Sequence, residues 1–425
     1  MKKRVLIVEQ RLRRGVDANA LIGAHLQRMG LDVRLSLTGS QLSSNLIRYE
    51  PHVVYYPWVT PPALRFLYKR APEVPIVNAF QEQNAILHQP DAPMVQWADR
   101  SDYIFAWGQA HKERFEEFFE RPNIMLTGNP RFDPYFDSGV AQVLYPSKDD
   151  LAEQYELPLE KDWVLFALDF PLIFQSENRI QELISRGDLK EKRLQIIREI
   201  YGNVQEWMRS LAENLPDSSV LIVRPHPGSN LEQIKRDFGG ESESIRYIRG
   251  GSLPPWILAT DRYLTRASTS VVEAWLADVP TALIQRKKPI EAGQARPHLV
   301  EARTSLSSYS EFRSFIIESC ETDTRHRHQD FLARHYRLDG YSSLRTARRL
   351  REIANQQDES ISYNDGGLEN WVEHAKFFLK KVVNETGANR FNPFERPNGE
   401  FLSQREASKR VSKVEESLEG ESWGE

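Results

Sequence analysis

Two loops carry the residue types best suited to chemistry. In Arg224-Pro225-His226-Pro227-Gly228 a histidine stands between two prolines, directly after the apolar run Leu221–Val223. Each proline fixes its own φ, removes an amide donor and drives the preceding residue out of helical geometry. A single imidazole is thereby presented in a fixed direction. It can donate to a phosphate oxygen, and Arg224 can add a charge-assisted contact. The plainer alternative is a histidine that caps a turn. In the second loop Ser268, Thr269 and Ser270 precede Val271-Val272-Glu273-Ala274. Hydroxyls at a helix start cap free amides, and those amides with the helix dipole bind phosphate. Glu273 falls in the first turn, where it can reach outward to sugar hydroxyls or merely complement an ordinary cap.

Weaker candidates lie upstream. Thr127-Gly128-Asn129-Pro130-Arg131-Phe132-Asp133 is a Gly/Pro turn in which Asn129, Arg131 and Asp133 can hydrogen-bond across a cleft, or form a purely structural turn. Glu9, Arg14 and Asp17 follow the first apolar run, and Glu82, Gln83 and Asn84 follow another. Charged loop residues are commonly just solvated, but a carboxylate at such a strand end can act as base toward an acceptor hydroxyl.

The elements that would position these residues alternate between strand and helix. Arg4–Val8 reads as a buried strand, Gly15 to Met29 as a helix closed by Gly30, and Asp32–Leu37 as a strand. Strands are further expected at His52–Tyr56, Val74–Ala79, Tyr103–Trp107 and Asn123–Leu126, with helices over Pro61–Arg70 and His111–Phe119. A linker is placed at 138–160, where prolines and charges replace periodic apolar residues. The alternation then restarts with strands at Trp163–Leu168, Val220–Val223, Ile245–Ile248, Arg262–Thr265 and Thr281–Ile284. Helices are expected around Leu194 to Leu215, over Ser252–Thr260 and from Gly340. The fold class is therefore α/β, with two Rossmann-like domains facing across a cleft: 1–137, and 161–355 carrying the His and Ser/Thr loops. In such sheets, loops at the carboxyl ends of neighbouring strands form the ligand crevice. A helical extension is expected over 356–388, with Asn370–Val383 amphipathic, and a disordered or interaction tail over 389–425.

Composition narrows the function classes. The chain has 425 residues, 40% hydrophobic and 27% charged, with net charge −4. That describes a globular protein without a bulk charge that calls for nucleic acid. The single cysteine, Cys320, excludes an internal disulfide and a multi-Cys zinc site and suits a reducing cytoplasm. The apolar run of the N-terminus stops at Val8, too short for a signal peptide, and no stretch approaches the roughly 18 apolar residues of a spanning helix. A cytoplasmic location is expected, with contact to a membrane surface left open. No G-x-x-x-x-G-K-[ST] loop is present and no G-x-G-x-x-G follows the first strand, against a P-loop ATPase or a standard NAD enzyme. His326, His328 and His335 lack the spacing of a helical zinc site and read as a solvated face, as do the arginines from Arg345 to Arg351.

Taken in order, the motifs resemble those of the bacterial surface carbohydrate biosynthesis proteins, GT-B-like glycosyltransferases related to capsule Kdo transferases and CDP-glycerol glycerophosphotransferases. The resemblance runs from about residue 4 to 355. It rests on the opening with Glu9, Arg14 and Asp17, the acid of FQEQN, GNPRFD, RPHP, GGSLPPWILATD, and the Ser/Thr loop with Glu273 and Ala274. It implies a GT-B-like fold and a transferase of capsule or lipopolysaccharide synthesis that uses a nucleotide-activated donor, CMP- or CDP-linked, and a glycan or lipid-linked glycan acceptor. His226 and Ser268–Ser270 would then hold the donor phosphate, with Arg224 beside them, and Glu273 the ribose. No bound cofactor or metal is implied, since fixed donors and a helix dipole can stabilise the leaving phosphate. Two other readings stay open: a UDP-sugar 2-epimerase of similar architecture, and a non-catalytic scaffold of a glycan assembly complex.

Overall fold

The computed structural model describes residues 2–9, 12–37, 40–56, 67–80, 83, 98–187, 189–226, 229–285, 297–302, 304–318, 323–358, 361, 363 and 404–418. They belong to two compact units, Met1–Leu144 with Asp330–Glu425, and Tyr145–Gln329. Glu82, Cys320, the Asn370–Val383 helix and the start of the Pro61–Arg70 helix lie outside the described residues. No described helix is long and apolar enough to cross a membrane.

The first unit is built on six parallel strands: β1 (Arg4–Glu9), β2 (Asp32–Leu37), β3 (Val53–Tyr56), β4 (Ile76–Asn78), β5 (Tyr103–Ala106) and β6 (Asn123–Leu126). Their order is β2-β1-β3-β4-β5-β6. Val5 to Val8 are fully buried on both faces, as a central parallel strand requires. Because β2 and β3 flank β1, the strand order reverses beside it, and the crevice belongs at the carboxyl end of β1, where Glu9 stands.

One face of this sheet is covered by helix Leu12–Arg28 together with two helices from the far end of the chain. Ala347, Leu350, Ile353 and Ala354 of helix Ser342–Asn355 share a core with Val5, Ile7, Leu21 and Val53. Ala407, Val411, Val414 and Leu418 of helix Gln404–Leu418 join it. The boundaries therefore differ from the expected ranges. Helix Ser342–Asn355 completes the first unit rather than the second, because its apolar stripe has the first sheet to cover. Part of the tail expected to be disordered is a packed amphipathic helix; its charged face dominated the composition and hid a four-residue apolar stripe. The linker range instead holds helices Ser138–Leu144 and Lys148–Tyr155, the latter opened by a capping box between Ser147 and Asp150.

The second unit repeats the plan with β7 (Asp162–Leu168), β8 (Ser219–Pro225), β9 (Ile245–Tyr247), β10 (Arg262–Thr265), β11 (Thr281–Ile284) and β12 (Ser305–Leu306). The order is β9-β8-β7-β10-β11-β12, all parallel. This is the doubly wound dinucleotide-fold order, and its reversal lies between β7 and β10. Helix Glu191–Ala212 lays Ile197, Tyr201, Val204, Met208 and Leu211 on one face, packed with Val164, Phe166 and Val223.

Candidate functional site

In the second unit three loops meet at the carboxyl end of β7. Pro225 ends β8, and the amide of the next residue, His226, donates to Leu168 O at 3.0 Å, one step beyond the regular ladder. The half-buried His226 is thereby fixed beside β7; its neighbours Pro227 and Gly228 lie outside the described residues. From the opposite neighbour, Thr265 Oγ1 donates to Ala167 O at 2.8 Å. Arg266 Nε donates to Asp169 O at 2.9 Å, and Arg266 Nη2 pairs with Asp169 Oδ2 at 3.1 Å. The histidine loop and the Ser/Thr loop thus flank one strand end, about 10 Å apart by strand spacing.

The Ser/Thr loop does not cap in the expected way. Ser270 sits at the N-cap of helix Val271–Leu276 in αR geometry, and its side chain makes no cap bond. Its hydroxyl instead joins a chain, 2.5 Å from the Tyr263 hydroxyl and 2.6 Å from Ser268 Oγ. Tyr263 is fully buried, and burial pushes its phenol up. This chain runs from the core to the half-buried Ser268, with Thr269 half-buried beside it. A two-turn helix buried on all sides leaves no outward face, so Glu273, expected to point outward, is only 4% exposed.

Arg224 is also committed elsewhere than expected. It points to the face of the sheet covered by helix Pro254–Ala259, where Nη2 donates to Gly251 O at 3.0 Å and the guanidinium lies 4.9 Å from the centre of the Trp256 ring. It ties the loop after β9 to the β8 end.

In the first unit Glu9, Asn19, Tyr55, Trp107, Asn129 and Arg131 line a small hollow at the carboxyl ends of the strands. Glu9 is 3% exposed and accepts from Asn19 Nδ2 at 3.0 Å. Asn129 Oδ1 accepts from the Arg131 amide at 3.2 Å, while its Nδ2 is buried without a partner among the described residues. A broader groove opens at the amino ends of the strands, around Asp102 and Asn123, the end at which sheets of this kind do not place ligands.

Several predicted residues turn out to hold the first unit together. Asp133 is 2% exposed and accepts from the amides of Ser342 and Ser343 at 3.0 and 2.6 Å, so it caps a helix and does not face a cleft. Burial raises its carboxyl to about 6 while those bonds pull the other way. Arg345, read as part of a solvated face, donates to Thr127 O at 2.9 Å and to both carboxylate oxygens of Asp339. Asp17 is paired with Arg410 of the last helix at 2.8 Å; burial raises its carboxyl and Arg410 opposes the rise. Gln83 bridges Phe105 O and the Trp107 amide at 2.7 and 2.8 Å. The Arg14 side chain and Glu82 are outside the described residues. In the second unit His328 is not solvated: it is 4% exposed, stacked on Trp275 at 4.0 Å and 2.9 Å from Glu301 Oε1.

Asp169, Arg266, Tyr263 and Asn19 were not singled out from sequence. Asp169 and Arg266 each stand directly after an apolar strand, the signal that marked His226, and the same rule applied to every charged residue would have found them.

No family model matches this chain, and no curated protein is similar to it in sequence. Solved structures share its fold. S. aureus MnaA, solved with UDP, superposes with a TM-score of 0.55 at 15% identity, covering 85% of this chain and 99% of that one. The wall teichoic acid polymerase TagF gives 0.57 at 12% identity, covering 84% and 90%. UDP-GlcNAc 2-epimerase from Neisseria meningitidis, bound to UDP-GlcNAc, gives 0.53 at 14% identity, covering 83% and 100%. The fold is GT-B-like. At these identities the likeness concerns architecture, and the site residues stand on the geometry described above.

Proposed function

We propose that this protein is a glycosyltransferase of surface-polysaccharide synthesis. It would move a sugar, or a polyol phosphate, from a nucleotide-activated donor, CMP- or CDP-linked, to a glycan acceptor. The observation that carries this reading is the bracing of one strand end from both sides, by His226 on Leu168 and by Thr265 and Arg266 on Ala167 and Asp169. A donor phosphate lying over that end meets the imidazole on one side and the hydroxyls of Ser268 and Thr269 on the other. Donors already held in place stabilise the charge that develops on the leaving phosphate without reorganising. In this reading the nucleotide leaves with the electron pair of the broken bond, the acceptor hydroxyl takes its place, and a carboxylate accepts the hydroxyl proton. Substrates of this kind fit a cytoplasmic protein working near the membrane.

The likeness to UDP-GlcNAc 2-epimerase favours a second reading, in which the same nucleotide site serves an enzyme that isomerises the sugar. Incubation with UDP-GlcNAc and no acceptor separates the two, because an isomerised sugar nucleotide would replace the transferase reading. Nucleotide binding itself is tested by calorimetry with CMP, CDP, UDP and GDP. Binding of at least one, weakened about tenfold or more by His226→Ala, is the expected result. Failure of all four, or binding indifferent to that substitution, removes the donor site.

A further inference from the structure

The geometry points to Arg266 as the cation that receives the donor's phosphate, with Asp169 as the residue that positions it. This rests on the reading of the second unit as the nucleotide-binding unit and adds a contact that neither the His loop nor the Ser/Thr hydroxyls supply. In an open parallel sheet, ligands settle where the strand order reverses, outside the carboxyl ends. Here that place lies between β7 and β10, and the first residue after β10 and the first after β7 are Arg266 and Asp169.

Several contacts hold the guanidinium in place. Nε donates to the Asp169 carbonyl at 2.9 Å, Nη2 to its carboxylate at 3.1 Å, and the group lies 5.3 Å from the centre of the Phe170 ring. Phe170 is fully buried and packs edge-on against Tyr201, so the ring beneath the arginine is itself fixed. Asp169 therefore orients a planar five-donor fork, a group whose geometry suits two oxygens of a phosphate. His226 grips Leu168, the residue before Asp169, from the β8 side. His226, through its backbone amide, and Arg266, through its side chain, thus flank the same strand end, one from each neighbouring strand. The pair is part-buried, and its position at the reversal point gives it a use in binding.

The test is calorimetry on the full chain with CDP and UDP, set against cytidine and uridine, which have the same bases without phosphate. Arg266→Gln should weaken the nucleotide that binds by about ten- to a hundredfold and leave its nucleoside unchanged. Asp169→Asn should produce a smaller loss with the same nucleotide-only signature. Arg266→Lys, which keeps the charge but not the fork, should fall between wild type and Arg266→Gln. If Arg266→Gln does not fold, as judged by circular dichroism, Arg266→Lys decides: unchanged nucleotide affinity overturns the assignment. So does an equal loss for nucleotide and nucleoside in any variant. Binding that depends on His226 but not on Arg266 overturns this inference alone. A wild-type protein that binds neither nucleotide overturns the donor site and this contact with it.

Discussion

Asp133 accepts a hydrogen bond from the amide of Ser343 at 2.6 Å, across 210 positions of sequence. Its second oxygen takes the Ser342 amide at 3.0 Å, so one carboxylate from the turn after β6 caps helix Ser342–Asn355 and anchors the returning chain on the first sheet. A negative group at a helix N-terminus is favoured by the free amides and the dipole alike. Removing it leaves two buried donors without partners, so Asp133→Ala should cost about 1–3 kcal/mol, with Asp133→Asn in between because it keeps one acceptor. A urea midpoint shifted at constant slope reads this directly. Because burial raises this carboxyl to about 6, the folded state binds its proton more tightly than the unfolded one. The contribution of Asp133 to stability should therefore decline as pH rises from about 4 to 6 and stay level above, a slope that Asp133→Asn removes.

Gly128 belongs to the same junction. Its φ is +88°, and a Cβ there would lie 2.3 Å from Ser342 Oγ and 2.9 Å from Arg345 Nη2. Gly128→Ala should destabilise the protein by about 1–3 kcal/mol, through left-handed strain and the clash together. Ser342→Ala removes the nearest atom, so the double variant should be less destabilised than the sum of the single ones. Strict additivity in a double-mutant cycle would mean that the helix does not lie on this turn.

The alternation of strands and helices was legible because buried parallel strands are short apolar runs bounded by turn residues, and Asp32–Leu37, Asn123–Leu126 and Arg262–Thr265 begin and end where expected. The His loop at the end of β8 was legible for the same reason. The role of GNPRFD was not. Glycine, proline and acid in a turn look alike whether they face a ligand or a helix, and the partners of Asp133 lie over two hundred residues away. The last helix was hidden because charges outnumber its four inward apolar residues. The Ser268–Ser270 loop misled for another reason. A hydroxyl before a helix is expected to cap it, but here the buried Tyr263 phenol competes for Ser270 and takes it.

Two histidines of the first unit give it an acid limit. His25 and His111 are 4% and 0% exposed, and burial lowers them to about 4 and about 3. Arg28 and Arg348 add to the effect at His25; at His111 the charge of His335 adds to it while a hydrogen bond with the His335 backbone opposes it. Both are neutral when folded, while the unfolded chain takes up protons below its ordinary histidine value of about 6.5. The stability they hold is therefore complete above about pH 6.5 and drains away as pH falls toward 4. Asp133 offsets part of this loss between about pH 6 and 4. Thermal melts at pH 7, 6, 5 and 4 should show the midpoint falling, and His111→Phe should flatten the acid limb. A wild-type midpoint that stays constant to pH 4 would contradict the burial of both rings.

The last helix bears on whether the C-terminal region is a free arm for partners. Ala407, Val411, Val414 and Leu418 are each at most 3% exposed, Arg28 Nη1 donates to Leu418 O at 2.7 Å, and Val411 sits against Gly23. Burying two valines and a leucine contributes several kcal/mol at most, reduced by the order imposed on the helix, so deleting residues 404–425 should cost about 2–4 kcal/mol. Arg410→Ala, by contrast, removes a partly exposed pair with Asp17 and should cost under about 1 kcal/mol. A free arm would come away with no change in melting and take its partners with it. A packed helix, when deleted, lowers the melting point of the first unit and exposes the apolar side of helix Leu12–Arg28 to a hydrophobic dye. Nucleotide binding, which the proposed function assigns to the second unit, should survive the deletion, so the two measurements together separate a structural helix from the scaffold reading.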